Sequence, residues 1–307
     1  MTMPSSPLLI VGTGAMACLF AARLSAAGGE VTLLGTWREG LEALHQRGVV
    51  VVDPEGGEQA YPVCATNDPA ECAGATSALV LVKSWQTERA AQQLAGCLAP
   101  EGVALTLQNG MGNREKLASA LGARRVALGV TTLGANLLGP GRVRPAGDGV
   151  ISLSVHSRLG PLAERLRSAG FILENAPDPD SLLWGKLVIN AGINPLTALL
   201  SVPNGALLER PTARALMVAV AREAAAVVVA QGLHLPYPDP VVAVETIARR
   251  TAANRSSMLQ DVQRGAPTEI DAICGAIVQA GERTGVPTPV NRTLWQLVKA
   301  LEVGNKG

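Results

Sequence analysis

Leu8-Leu-Ile-Val-Gly12-Thr-Gly14-Ala-Met-Ala17 is the stretch that decides the fold of this chain. Four apolar residues read as a strand, the glycines as a tight turn, and the Ala- and Leu-rich residues that follow as a helix. A GxGxxG/A spacing alone is weak, but between a strand and a helix it is the turn that binds a dinucleotide. Gly12 permits the tight turn, and Gly14 lets backbone come close to a pyrophosphate. The small Ala17 lets the helix pack on the strand with its N-terminus aimed at the anion. Gly12, Thr13, Gly14, Ala15, Met16 and Ala17 are therefore the first cofactor-binding candidates.

Working outward, β-rich runs at 31–34, 78–82, 103–107 and 126–130 alternate with helical patterns, which is βαβ organisation with a parallel sheet. Residues 49–52 and 60–65 flank Asp53-Pro-Glu-Gly-Gly57 and read as an inserted hairpin. From Gly139-Pro-Gly141 the pattern is mixed, with a strand near 151–155, a helix over 159–169 and a strand over 171–174; Ala176-Pro-Asp-Pro-Asp180 then reads as a linker. Beyond it the pattern is helical. Pro211 and Gly232 bracket one amphipathic segment, Asp239-Pro240 opens another, Thr268 with Asp271 resembles a capping box that starts a third, and a last helix covers about 290–302. The expected division is an α/β nucleotide-binding domain over residues 1–177 and an all-α domain over 178–307.

Composition excludes several classes of function. At 307 residues the chain has room for two domains. Its most apolar long stretch, 213–230, is interrupted by Arg214, Arg222 and Glu223, short of the roughly 20 clean residues of a membrane span. The run at 8–11 leads straight into a turn rather than forming the apolar core of an export signal, so a cytoplasmic protein is expected. Lys and Arg total 26 against 25 acids, dispersed apart from Arg124-Arg125 and Arg249-Arg250, which argues against a nucleic-acid partner. Five cysteines without CxxC spacing and three distant histidines, His45, His156 and His234, suggest free thiols and no metal. The acid of any reaction here is not expected to be His.

The chemistry concentrates in Trp184-Gly-Lys-Leu-Val-Ile-Asn-Ala-Gly-Ile-Asn-Pro195. Lys186, Asn190 and Asn194 recur every four residues and drift by only about 80° around a helix, so an ammonium and two amides share one face. Left unpaired in a core they would cost roughly 1–3 kcal/mol each, so the stripe must meet protein groups, water or a ligand. Pro195 removes a backbone donor and biases Asn194 away from the helical region, which predicts a kink or helix break there. Lys83 and the turn Gln108-Asn109-Gly110 fall at the ends of the third and fourth main strands, where open α/β sheets bind ligands. They read as reaching a nicotinamide, beside the plainer readings of a solvated lysine and an ordinary Asn-Gly turn. The end of the second strand, Leu34-Gly35-Thr36, lacks the acid that holds the ribose of NAD, and Arg38 follows. NADP(H) is therefore expected, although an arginine after a strand is also common on plain surfaces.

With Gly12–Ala17, Lys83, Gln108-Asn109-Gly110, the Lys186/Asn190/Asn194 stripe with Pro195-Leu-Thr197, Asn254-Arg-Ser-Ser-Met-Leu-Gln-Asp261 and Pro267-Thr-Glu-Ile-Asp271, the chain resembles the ketopantoate reductases over nearly its whole length. The resemblance implies a Rossmann domain followed by an all-helical domain, with the active site in the cleft between them. It implies Lys186 as general acid and Asn109, Asn190, Asn194, Asn254, Ser257 and Glu269 as substrate ligands. Lys83, Asn109 and Glu269 would also reach the cofactor, with Arg38 at its phosphate. Structural alternatives stand beside these roles. Glu269 suits the first turn of a helix whatever the function, and Asn254 and Ser257 suit turns or caps. Gly35-Thr-Trp-Arg38 departs from the family, since the basic residue comes later than its phosphate-binding arginine. The implied reaction is NADPH-dependent reduction of 2-dehydropantoate to pantoate, in pantothenate and coenzyme A synthesis. The alternatives are another 2-oxo acid on the same Lys/Asn/Glu frame and a non-catalytic NADP(H)-binding protein. The partner is a small molecule; monomer and homodimer are both open.

Overall fold

The structure, a computed structural model, describes residues 7–304. It divides into two compact units: one runs through Gln108 and again over Asn113–Pro179, the other comprises Asn109–Gly112 and the chain from Asp180 onward. The first unit contains β1 (Leu8–Val11), α1 (Ala15–Ala26), β2 (Val31–Leu34), α2 (Arg38–Arg47), β3 (Val49–Val52), β4 (Glu58–Tyr61), β5 (Cys64–Thr66), β6 (Ala75–Val80), α3 (Thr87–Cys97), β7 (Leu98–Thr106) and α4 (Asn113–Leu121). It continues with β8 (Val126–Thr131), β9 (Ala135–Gly139), β10 (Arg142–Pro145), β11 (Val150–Ser154), α5 (Gly160–Ser168) and β12 (Ile172–Ala176). The second unit carries α6 (Pro179–Leu200), α7 (Ala206–Glu209), α8 (Pro211–Ala230), α9 (Pro240–Arg250), α10 (Ser257–Gln263), α11 (Ala276–Thr284) and α12 (Pro289–Gly304).

The main sheet has the order β12-β11-β8-β7-β6-β1-β2-β5. Strands β5, β2, β1, β6, β7 and β8 are all parallel, and the order reverses between β1 and β6. That reversal is the switch point at which open α/β sheets bind ligands. All four residues of β1 are buried, as a central parallel strand requires. The inserted hairpin forms as β3 and β4, paired from Val49↔Tyr61 to Val52↔Glu58. Its expected second arm is two strands rather than one. The chain leaves β4 at Tyr61, passes Pro62, which has no N–H to give a ladder, and joins the main sheet as β5 beside β2. β9 and β10 lie outside the sequence reading; β10 pairs with β3 at Arg142↔Val50, a partner some ninety residues away that no local pattern announces.

In the helical unit α6 is the central element. Gly192 has no room for a side chain against Val244 and Met217, so α8 and α9 come close to it. Here the expected break at Pro195 does not occur: α6 stays helical through Leu200 with Pro195 inside. Residues 191–198 are all buried, and packing over two turns offsets a proline that would cost an exposed helix about 3 kcal/mol. The start of α12 is held from α8. The Glu223 carboxylate accepts from the Val290 and Asn291 backbone N–H groups at 2.8 and 2.9 Å and from Asn291 Nδ2 at 2.8 Å. Glu223→Ala strands these donors beside a fully buried Asn291, so urea unfolding is expected to show a loss of about 3 kcal/mol. A loss below about 1 kcal/mol would mean that this cap does not hold α12.

Candidate active site

The dinucleotide turn is built as the spacing requires. Gly12 takes a φ of 131°, and a Cβ there would sit 3.1 Å from the backbone of Leu81, which itself bonds to Val11. Gly14 is different. It has ordinary extended backbone, and a Cβ would meet no protein atom within 4 Å. The protein's own packing therefore does not demand glycine at 14, whereas a group pressed against that backbone from outside would. Ala17 is fully buried, and α1 begins with neither a side-chain cap nor an acid in its first turn. These features fit a nucleotide phosphate at the helix N-terminus. Beyond β2, the Trp37 ring fills the space where Gly40 lacks a side chain, and Arg38, exposed, pairs with Glu42 one helical turn on at 2.8 Å.

At the ends of β6 and β7 the structure places a buried polar cluster around Gln108, the first residue of the turn read from the sequence as reaching a nicotinamide. Gln108 points into the protein. Its amide donates to the Val82 carbonyl at 2.9 Å and to Thr87 Oγ1 at 2.8 Å, while its Oε1 accepts from Thr106 Oγ1 at 3.0 Å. Thr87 in turn donates to Asn113 Oδ1 at 2.8 Å. One amide with every group satisfied thus fixes the loop before half-buried Lys83, the start of α3 and the start of α4. Asn109, half-buried, follows directly. Its neighbour Gly110, with φ 83°, leaves no space for a Cβ against Ala272, and the Met111 N–H donates to the Ala272 carbonyl at 2.9 Å. Ala272 lies in a π-helical turn, Asp271–Gly275, the kind of widened turn that recurs at functional sites.

In the helical unit the stripe forms as expected. Between 183 and 198 only Lys186, Ile189 and Asn190 keep appreciable surface on α6; Asn194 is buried. The Pro236-Tyr237 segment packs over Gly185, where a Cβ would stand 2.6 Å from Pro236, and Tyr237 donates to the Gly185 carbonyl at 2.9 Å. Burial pulls the Lys186 pKa down to about 8, and the charge of Glu269 works against that fall. Glu269 is itself buried, so a carboxylate and an ammonium share a poorly solvated setting. Asn254 and Ser257 are exposed. The cap of α10 is Ser256, which accepts from Leu259 N–H at 3.1 Å and lies 2.7 Å from Thr197 Oγ1 of α6. The Asn204 and Gly205 N–H groups also donate to the Asn254 and Ala252 carbonyls, both at 3.0 Å. The loop carrying Asn254 and Ser257 therefore hangs from the end of the helix that carries Lys186.

Comparison with known proteins follows the same two-part division. The profile of "Ketopantoate reductase PanE/ApbA" matches residues 8–158, and that of its C-terminal domain matches 179–302. The chain belongs to the ketopantoate reductase family. It is accordingly an oxidoreductase. A 2-dehydropantoate 2-reductase of Archaeoglobus fulgidus is 39% identical over 96% of this chain and 97% of that one. Among solved structures, a PanE/ApbA family ketopantoate reductase from Ralstonia eutropha superposes with a TM-score of 0.91 at 33% identity, covering 98% of this chain and all of that one. A D-mandelate dehydrogenase, in a ternary structure with NADH and anilino(oxo)acetate, gives 0.90 at 25% identity over 97% and 99%. Among the described residues no helix is long and apolar enough to cross a membrane.

Proposed function

We propose that the chain catalyses NADPH-dependent reduction of 2-dehydropantoate to pantoate, serving pantothenate and coenzyme A synthesis, with residues 1–177 holding the cofactor and 178–307 the substrate and proton donor. The observation that carries this reading is the lysine on α6, with its pKa lowered to about 8 and the buried carboxylate of Glu269 acting on it. Gly12–Ala17 would hold the cofactor, which when bound would supply the hydride for the ketone carbon. Negative charge grows on the ketone oxygen, and Lys186 stabilises it and gives up its proton there. A pKa near 8 leaves the lysine protonated at neutral pH yet a better acid than a solvated one. Asn190, Asn194, Asn254 and Ser257 offer neutral donors to the substrate carboxylate, Asn109 orients substrate against cofactor, and Glu269 accepts from the terminal hydroxyl.

Lys83 and Asn109 serve the nicotinamide half. Arg38 would hold the 2′-phosphate in place of its exposed partner Glu42, and no acid at Leu34-Gly35-Thr36 opposes that charge. Five free cysteines support a reducing, cytoplasmic setting. A second reading, another 2-oxo acid, draws on the likeness to D-mandelate dehydrogenase. Against it, Glu269 opposite an apolar tail would lie buried without the hydroxyl it suits, at a loss of affinity.

NADPH oxidation, followed optically, tests the proposal with 2-dehydropantoate and with 2-oxoisovalerate, which lacks the terminal hydroxyl. Strong turnover with the first and a loss of roughly 10²-fold or more in kcat/KM with the second are expected. Comparable rates with both would keep the chemistry and discard the substrate. No oxidation with either, despite tight NADPH binding, would leave a binding protein. In the same assay NADPH is expected to surpass NADH; equal or better use of NADH would sink the NADP assignment.

A further inference from the structure

We infer that one face of the C-terminal helix α12 is a positioning device for Glu269, with Glu302 as its principal residue; this rests on the reading of Glu269 given above. Trp295, Lys299 and Glu302 are spaced by four and three residues and so share a face of α12. They grip the segment that carries Glu269 on both sides, at its neighbour Thr268 and at Asp271 two residues on. On one side Glu302 Oε1 accepts from the backbone N–H of Thr268 at 2.8 Å and from its Oγ1 at 2.6 Å. On the other, Asp271 accepts from Trp295 Nε1 at 2.7 Å and from Lys299 Nζ at 3.0 Å. Lys299 closes the ring, its Nζ lying 3.0 Å from Glu302 Oε2. Gly275 leaves the room in which the Trp295 indole lies, at 3.3 Å from a Cβ placed there.

The capping box expected at Thr268 and Asp271 is thus opened up. Thr268 Oγ1 still accepts from the Ile270 N–H, at 3.2 Å, but the N–H of Thr268 goes to Glu302 rather than to Asp271, and Asp271 turns to α12. Glu269 lies between two anchored residues, and its own carbonyl accepts from the Ala272 and Ile273 N–H groups at 3.1 Å. The helix does not need these contacts to stay in place, because Glu223 caps its start and Leu294 and Val298 are buried in the core. Lys299 and Asp271 are largely exposed, and such pairs add little to stability. What the contacts do restrict is the direction of one buried carboxylate, and an ångström of misplacement there is felt in substrate binding.

The test compares full-length enzymes saturated with NADPH. Glu302→Ala is expected to raise KM for 2-dehydropantoate roughly tenfold while kcat falls by no more than about threefold, with the enzyme still folded and saturable with NADPH although Thr268 loses an acceptor and the thermal midpoint drops. Thr268→Val should follow it. Thr268→Ser, which keeps the hydroxyl, should stay near wild type, as should Arg292→Ala, which breaks only the exposed pair from α12 to Glu282 of α11. If Glu269→Gln raises KM and Glu302→Ala does not, the positioning role is overturned while the reading of Glu269 stands. If Glu269→Gln leaves KM unchanged, that underlying reading fails. A rise in KM that Arg292→Ala reproduces, or that Thr268→Ser does not rescue, would mark general loosening of α12 and overturn the inference as well.

Discussion

Replacing Lys186 by methionine is expected to lower kcat for ketone reduction by a factor on the order of 10²–10⁴ and to leave NADPH affinity unchanged. The loss is that of a positioned proton donor and a charge placed where an alkoxide forms. Stability separates this from simple damage. Burial opposes the charge of Lys186 more than Glu269 favours it, so the unfolded chain, with the ordinary value of 10.5, holds that proton more tightly than the folded one at about 8. Below pH 8 both states are protonated and the fold bears the full penalty; between about 8 and 10.5 only the folded lysine has released its proton, and stability rises with pH. Methionine removes the penalty. It also leaves the buried Glu269 without the ammonium, so at pH 7 the thermal midpoint of Lys186→Met should stay near that of wild type, and its standing against wild type should decline as the pH passes 8. An unchanged kcat would remove Lys186 from the mechanism, and a midpoint far below wild type would trace the loss of rate to misfolding.

The parts legible in the sequence are those set by short-range rules. Leu8–Ala17 sets a strand, a turn and a helix through its local sequence, and β1 and β2 coincide with the apolar runs at 8–11 and 31–34. Lys186, Asn190 and Asn194 share a helix face for the same reason. The missing parts depend on partners far along the chain. Nothing local says that Gln108 turns inward to Val82 and Thr87, that Arg142 pairs beside Val50, or that Glu302 reaches Thr268. Pro195 points to a break because its ring removes a hydrogen bond and crowds the preceding turn, a cost that the buried surroundings of α6 outweigh. Ser256 and Ser257 are adjacent and chemically identical; only the geometry of the α10 start makes the first a cap tied to Thr197 and leaves the second exposed. Sequence patterns locate candidate polar groups, whereas long-range pairing decides which of them are consumed by the fold.

Glu269→Gln is expected to change binding, pH dependence and selectivity together, because one carboxylate is proposed to serve both substrate and lysine. Loss of a hydrogen bond to a charged group, about 1.5–3 kcal/mol, raises KM for 2-dehydropantoate by roughly 10–10²-fold. Reduction consumes the Lys186 proton, so in wild type kcat/KM falls about tenfold per unit as pH rises beyond about 8. Glu269 raises the lysine pKa, and the neutral amide no longer does, so in the variant this fall begins at lower pH. Selectivity follows from the same loss, since a site that no longer presents a carboxylate to the terminal hydroxyl discriminates less against 2-oxoisovalerate. A pH profile identical to wild type would show that Glu269 does not act on Lys186 in the working enzyme. A profile that shifts while selectivity stays intact would separate the two roles, leaving Glu269 to tune the acid and assigning the hydroxyl to an amide of the α6 stripe, Asn190 or Asn194.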